Sequence, residues 1–205
     1  HIMVLAKHGS GKSWLAELVA AALGSAAHGM SNNFTEAGIR QALSDTARAI
    51  ILDEAEHDEG SGRFDRVIVL IRHMSGGDGA RIARGSAQGL AQGYTMNGSV
   101  YLSSVLSGAL KPQDKSRITA VQLSPLFQDQ NEPASAERVR LAISDIGKLS
   151  AGLWARAIEG FPRFLETFDA YRKAFLGAGC MPREADQFGT LAAGRDLLVH
   201  DHVPE

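Results

Sequence analysis

The first two thirds of the chain alternate short apolar runs with amphipathic segments. Each run is bounded by glycine or polar residues, which is typical of buried strands. The runs are residues 2–5 (IMVL), 49–52 (AIIL), 100–106 (VYLSSVL) and 118–123 (ITAVQL). Between them, residues 14–23 and a segment that ends near Leu43 have helical spacing, and Gly24 stops the first of these helices. This pattern predicts an α/β domain.

The middle of the chain contains one segment that suits either a helix or a strand. Residues 63–74 carry apolar side chains at helical spacing, although the β-branched content of 67–71 also fits a strand; we predict a helix. After a glycine-rich loop, residues 80–96 predict a β-hairpin with its tip at 86–89. A charged turn over 111–117 then leads to the last strand.

The end of the chain is predicted to be helical. Helices follow a linker that ends at Pro133, and residues 177–179 interrupt them. One apolar set has the spacing of a core stripe and is assigned no chemistry: Trp154, Phe161, Phe164, Leu165 and Phe168. The chain therefore divides into a core over residues 1–133 and a C-terminal helical subdomain over 134–205.

The composition is that of an ordinary globular protein, with 205 residues of which 44% are hydrophobic and 21% charged. A net charge of -2 excludes a broadly basic nucleic-acid binder but not a local basic surface. The single cysteine, Cys180, excludes an internal disulfide framework and suits a reducing cytosol, so we predict a cytoplasmic location. No apolar run of about eighteen residues occurs, so no membrane association is predicted.

Two further observations concern metals and the ends of the chain. Neither Cys180 nor the seven histidines show metal-ligand spacing, so no structural metal is predicted. The chain opens almost directly on its first predicted strand, which favours a domain that belongs to a longer protein.

Residues 6–13 (AKHGSGKS) fit a relaxed phosphate-binding loop with alanine in place of the first glycine. Gly9 and Gly11 allow the backbone to wrap so that its N–H groups point at phosphate oxygens. Lys12 would reach the β- and γ-phosphates, Ser13 would bind Mg²⁺, and the anion would lie at a helix N-terminus. ATP and Mg²⁺ are the predicted ligands. The predicted nucleotide-binding residues are Ala6, Gly9, Ser10, Gly11, Lys12, Ser13 and Trp14.

Asp53 and Glu54 follow the apolar run 49–52 and form the second half of the predicted site. Asp53 is expected to hold Mg²⁺ and Glu54 to polarise the attacking water. Carboxylates often follow strands, so this pair alone is weak evidence for a nucleotide site. Together with the phosphate-binding loop it becomes strong evidence. A glutamate beside the Mg²⁺ ligand favours an ATP hydrolase over a small-molecule kinase, which needs a base for its acceptor elsewhere.

With these two signatures, the chain resembles the helicase-type ATPases of phage, plasmid and integrated-element replication proteins. These are related to superfamily III helicases and AAA+ ATPases and are often fused to a primase. The resemblance also rests on residues 35–41 (TEAGIRQ), 52–56 (LDEAE), 75–81 (SGGDGAR), 85–89 (GSAQG), 116–118 (SRI) and 183–191 (READQFGTL). It implies a P-loop NTPase fold with a central mostly parallel sheet, a β-hairpin insertion and a C-terminal lid-like helical subdomain.

The resemblance further implies a ring, commonly a hexamer, with ATP at the subunit interfaces and single-stranded DNA in the pore. Arg117 resembles the arginine finger that reaches a neighbour's γ-phosphate; the alternative is a surface arginine in a charged turn. Ser104 occupies the place of the polar sensor, but Leu106 stands where asparagine is common, so Ser107 is a second candidate. Arg183 is either a second sensor or a helix-start arginine.

The hairpin is expected to hold DNA phosphates rather than to read bases, and an ordinary solvated hairpin is the alternative. The expected contact residues are Arg81, Arg84, Ser86 and Gln88.

The sequence leaves three functions open. The first is a Mg-ATP-dependent oligomeric DNA helicase or translocase of a mobile-element replication protein. The second is a nucleotide-gated assembly or switch ATPase that does not move nucleic acid, and the third, weaker one is a small-acceptor phosphotransferase.

Overall fold

The fold is taken from a computed structural model, which describes residues 1–7, 9–30, 34–43, 46–53, 62–75, 82–85, 91–94, 97–104, 110–124 and 132–204. Within these ranges the strands are β1 (Ile2–Ala6), β2 (Ala27–Met30), β3 (Ala49–Leu52), β4 (Ile82–Gly85), β5 (Ala91–Tyr94), β6 (Val100–Ser104) and β7 (Thr119–Leu123). The helices are α1 (Lys12–Leu23), α2 (Glu36–Leu43), α3 (Arg63–Met74), α4 (Pro112–Lys115), α5 (Glu132–Gly160), α6 (Phe164–Gly177) and α7 (Pro182–Val199).

Five strands form one all-parallel sheet in the order β2-β3-β6-β1-β7. Strand β1 lies between β6 and β7, so that Val4 is opposite both Ser103 and Val121. Strand β6 in turn separates β1 from β3, with Leu102 opposite Leu52. Parallel strands need crossover connections, which place helices over the sheet and bury its central strands on both faces. The predicted α/β class with a mostly parallel sheet is confirmed.

Two hydrophobic clusters fill the two faces of this sheet. On one face Leu52 and Leu102 are fully buried together with apolar residues of α2 and α3. On the other face Ile51 and Tyr101 pack against Ala16 and neighbouring residues of α1. Since successive side chains of a strand point to opposite faces, residues 51, 53, 101 and 103 belong to the face that α1 covers.

The two predictions for the middle of the chain are confirmed where the structure describes it. Residues 63–74 form helix α3 rather than a strand, because its apolar side chains repeat at helical spacing and are buried in the core. Strands β4 and β5 form a separate antiparallel hairpin, with Ile82 opposite Tyr94 and Arg84 opposite Gln92. The predicted tip of this hairpin lies outside the described residues.

The C-terminal helical region packs on the core through its first helix, α5. The Trp154 indole N–H donates to the carbonyl of Leu23 at 2.8 Å, at the end of α1. Gly24 follows with φ of 54°, and an added Cβ there would lie 2.5 Å from Ser150 Oγ. Both the left-handed backbone and the close approach of α5 therefore require glycine at this position. Helix α7 reaches the sheet edge, where Gln187 Nε2 donates to Thr119 Oγ1 at 2.5 Å.

A buried ion pair connects the helices of this region. Asp196 on α7 is 2% exposed and accepts from Arg163 NH1 at 2.7 Å and from the Tyr171 hydroxyl at 3.0 Å. Burial raises the pKa of Asp196, but the hydrogen bonds from Arg163 and Tyr171 outweigh it and hold that pKa below its usual value. The carboxylate is therefore charged at neutral pH, which fits its two donors.

Two predictions need correction, and one strand was missed. Strand β2 was not predicted, because its sequence AHGM has no β-branched residue. The predicted charged turn over 111–117 contains one helical turn, α4, which begins at a proline. The apolar stripe is not a core: Phe161 is 67% and Leu165 73% exposed. The rings of Phe161, Phe164 and Phe168 stack in a row across the 3₁₀ turn Phe161–Arg163, so the spacing continues, but the row is only partly covered.

No helix in the described part of the chain has the length and apolarity that crossing a bilayer requires.

The break between the last two helices is confirmed, because α6 ends at Gly177 and α7 begins at Pro182. Helix α5 begins at Glu132, at the end of the predicted linker, and residues 125–131 lie outside the described part.

Candidate functional site

The loop between β1 and α1 is a tight turn with two left-handed glycines. The carbonyl of Lys7 accepts from the N–H and the hydroxyl of Ser10, at 3.3 and 2.5 Å. Gly9 has φ of 76°, and Gly11 has φ of 81° at the N-cap of α1. Positive φ favours glycine at both positions. The loop thereby bends back and starts a helix, whose first N–H groups cannot bond within it.

Lys12 is the first residue of α1 and is only 8% exposed. Among the described residues, no carboxylate and no other acceptor contacts its ammonium group. A lysine ammonium that has no carboxylate beside it can pair with an anionic ligand. Together with the positive end of the α1 dipole, this position is suited to an anion.

Asp53 comes directly after β3, at the carboxyl end of the sheet, where the loop after β1 also lies. The fully buried Ser103 of β6 donates its hydroxyl to Asp53 Oδ1. This hydrogen bond orients one carboxylate oxygen. Ser103 was not among the residues that the sequence pointed to, because its contact depends on the pairing of β6 with β3, fifty positions away along the chain.

Ser104, the predicted polar sensor, is also fully buried and lies opposite Leu5 of β1. It follows Ser103 directly, so its side chain points to the other face of the sheet. The structure thus brings Ser103 to Asp53, and Ser104 does not share that face. Leu106 and Ser107 lie outside the described residues.

Tyr101 lies two residues before Ser103 on the face that α1 covers. Its side chain is 7% exposed, and its hydroxyl oxygen has no hydrogen-bond partner in the described part of the chain. Burial, and then the negative charge of Asp53, raise the pKa of Tyr101 to about 12. The neutral phenol is therefore a buried polar group, and no hydrogen bond from the described part of the chain offsets the cost of removing its hydroxyl from water.

Replacing Tyr101 with phenylalanine is expected to stabilise the fold by about 1 kcal/mol, since a buried hydroxyl without a partner costs about that much. Urea unfolding of the variant would measure this gain. Tyr171→Phe is the matched control, because its hydroxyl bonds to Asp196 and its loss should destabilise the protein by about 1 kcal/mol. A loss of stability in Tyr101→Phe similar to that of the control would contradict the prediction.

Arg117 lies between α4 and β7 and is half-buried. Its NH1 donates to the carbonyl of Gln113 at 2.6 Å, so the side chain folds over its own turn. Arg183 is exposed in the first turn of α7. One turn later, Gln187 of α7 contacts Thr119 at the amino end of β7. The phosphate-binding loop lies at the other end of the sheet, after the carboxyl end of β1.

Several predicted residues fall outside the described part of the chain. These are Glu54, Arg81, Ser86 and Gln88. Arg84 is placed by its backbone alone, in β4. Of the other predicted nucleotide-binding residues, Ala6 is buried at the end of β1, and Ser13 and Trp14 are half-buried in the first turn of α1.

Ser13 and Asp53 offer a hydroxyl and a carboxylate, the hard oxygen ligands that Mg²⁺ prefers. Within the described residues, no three histidine, cysteine or carboxylate side chains are grouped as a metal site. A nucleotide-bound Mg²⁺ needs only one or two protein ligands, since phosphate oxygens and water complete its shell. The donor set therefore fits Mg²⁺ bound with a triphosphate.

No protein-family model matches this chain, and no curated protein shows a significant sequence match to it.

Proposed function

We propose that this protein is a Mg-ATP-dependent ATP hydrolase that uses residues 6–14 as a phosphate-binding loop. The observation that carries the proposal is the buried Lys12, which follows two left-handed glycines at the start of α1 and has no acidic partner in the described part of the chain. A triphosphate would supply the missing charge. Backbone N–H groups of the loop and of the first turn would donate to its oxygens.

Asp53 and Ser13 would hold Mg²⁺ with the nucleotide, where the ion neutralises charge on the phosphate oxygens. Ser103 holds one oxygen of Asp53 in place, which fixes the orientation of the carboxylate that would bind the ion. Glu54 directly follows Asp53 and would accept a proton from the attacking water. Arg117 would act in a neighbouring subunit, where its charge would stabilise the transition state.

We further propose that the hydrolase is a P-loop NTPase motor of the superfamily III and AAA+ type, from a mobile-element replication protein in the cytoplasm. It would assemble as a ring of six subunits, the size that the resemblance implies, with single-stranded DNA in the pore. The parallel sheet, the hairpin β4–β5 and the C-terminal helices support this assignment, as does the Arg117 position between β6 and β7. Arg81, Arg84, Ser86 and Gln88 would contact DNA phosphates.

Glu54→Gln is expected to slow ATP hydrolysis by about 100-fold or more, because a general base contributes at least that factor. Binding of Mg-ATP should be retained. Single-turnover hydrolysis and binding of a fluorescent ATP analogue would measure the two effects separately. Glu56→Gln, two positions further in the same acidic run, is the matched control and should hydrolyse normally. Normal turnover in Glu54→Gln would show that the base is another residue.

Single-stranded oligonucleotide distinguishes the motor from the switch ATPase. The motor should hydrolyse ATP faster with the oligonucleotide, and Arg84→Glu should weaken binding of the oligonucleotide and remove this stimulation. A slow hydrolysis that is indifferent to the oligonucleotide in the wild type would support the switch ATPase instead.

A further inference from the structure

An ion pair connects the end of α3 to the short helix α4. Arg72, in the last turn of α3, donates from Nε and NH2 to Asp114 Oδ1, at 2.9 and 2.8 Å. Asp114 is 3% exposed, whereas Arg72 is only partly covered. With its amide oxygen turned toward the same guanidinium, Gln113 accepts from NH1 and NH2 at 3.3 and 3.2 Å. Arg72 therefore holds two successive residues of α4.

The same two residues support Arg117 from their backbone side. The carbonyl of Asp114 accepts the N–H of Arg117 at 2.9 Å and the N–H of Ile118 at 3.1 Å. The carbonyl of Gln113 accepts from the Arg117 guanidinium at 2.6 Å. Residues 113 and 114 thus contact Arg72 through their side chains and Arg117 through their carbonyls.

We propose that Arg72 is a positioning residue for Arg117, and this inference rests on the proposed function of Arg117 as an arginine finger. Without Arg72, the Asp114 carboxylate would lie buried without its cation. The turn has to open to hydrate it, and the two carbonyls that support Arg117 then move. Arg72 itself touches neither nucleotide nor DNA in this proposal.

The first test is hydrogen exchange at the amides of Arg117 and Ile118. Arg72→Ala should accelerate their exchange by about tenfold or more, because their acceptor turn opens locally. Amides of α1 should be unchanged. Arg66→Ala, an exposed arginine on the same helix, is the matched control and should leave all of these amides unchanged. Unchanged exchange at residues 117 and 118 in Arg72→Ala would overturn the proposal.

The second test is kinetic. Arg72→Ala should lower kcat about as much as Arg117→Ala does, with the affinity for Mg-ATP changed by less than about twofold. The variant with both substitutions should be no slower than Arg117→Ala, because both act on one group. Arg72→Lys keeps the charge and should recover part of the rate. Losses of rate that multiply in the double variant would contradict the inference.

The two hypotheses fail in different ways. If Arg117→Ala hydrolyses ATP normally, the finger role is wrong, and exchange at residues 117 and 118 still decides whether Arg72 orders the turn. If Arg117→Ala is slow but Arg72→Ala is normal, only the positioning role is wrong. Should Arg72→Ala not fold, Asp114→Asn takes its place in the exchange test, with the same two outcomes.

Discussion

Replacing Lys12 with alanine is expected to weaken binding of Mg-ATP by about 100-fold, which corresponds to about 2.7 kcal/mol. The reason is the burial of Lys12 at the start of α1, where its ammonium has no acidic partner among the described residues. A triphosphate in the loop would lose its nearest counter-charge. Titration with a fluorescent ATP analogue in the presence of Mg²⁺ would measure the change, and turnover should be lost as well.

Lys7→Ala is the matched control for this substitution. Lys7 belongs to the same loop but its side chain is exposed, and only its carbonyl takes part in the turn, by accepting from Ser10. Its removal should change the affinity by less than about threefold. Equal affinity losses in Lys7→Ala and Lys12→Ala would indicate a diffuse effect of charge and not a specific phosphate contact.

Asp196→Ala is expected to lower the free energy of unfolding by about 3 kcal/mol or more. The substitution leaves the Arg163 guanidinium in a mostly buried place without its carboxylate and takes the acceptor from the Tyr171 hydroxyl. Urea unfolding would measure the loss. Asp145→Ala breaks an ion pair with Lys148 that is exposed on both sides, and should change stability by less than about 0.5 kcal/mol.

The same carboxylate gives this effect a pH dependence. Its pKa is lowered in the folded protein, so its stabilising effect is present above the unfolded pKa of about 3.9 and is lost as the pH falls below that value. Wild-type stability should therefore decrease more steeply on acidification than the stability of Asp196→Ala. Parallel curves for the two proteins would contradict the assignment of Asp196 as the charged partner of Arg163.

Local patterns predicted most of the sheet and the loop. The runs at 2–5 and 49–52 are strands because apolar residues of that length fill a parallel sheet, and the glycines at 9 and 11 have the positive φ of a tightly turning backbone. The edge strand β2 was not predicted, because its four residues include no β-branched side chain that would indicate a strand.

Contacts between distant residues could not be predicted from local patterns. Ser103 meets Asp53 only because β6 pairs with β3, and Arg72 meets Asp114 across 42 positions of the chain. The stripe through Phe161 and Leu165 failed for a related reason, because its aromatic rings do line up but coverage by another element is a contact between distant residues. Spacing shows which side chains share a helix face and does not show what covers that face.

In the proposed nucleotide complex, main-chain amides of residues 9–13 hold a triphosphate whose Mg²⁺ faces Asp53. A crystal structure with Mg²⁺ and a non-hydrolysable ATP analogue would show whether this complex forms. We expect phosphate oxygens within hydrogen-bond distance of these amides and of Lys12, with the metal bound to Ser13 and Asp53. A nucleotide bound elsewhere, or a bound nucleotide with Asp53 turned away from its metal, would refute the proposed function.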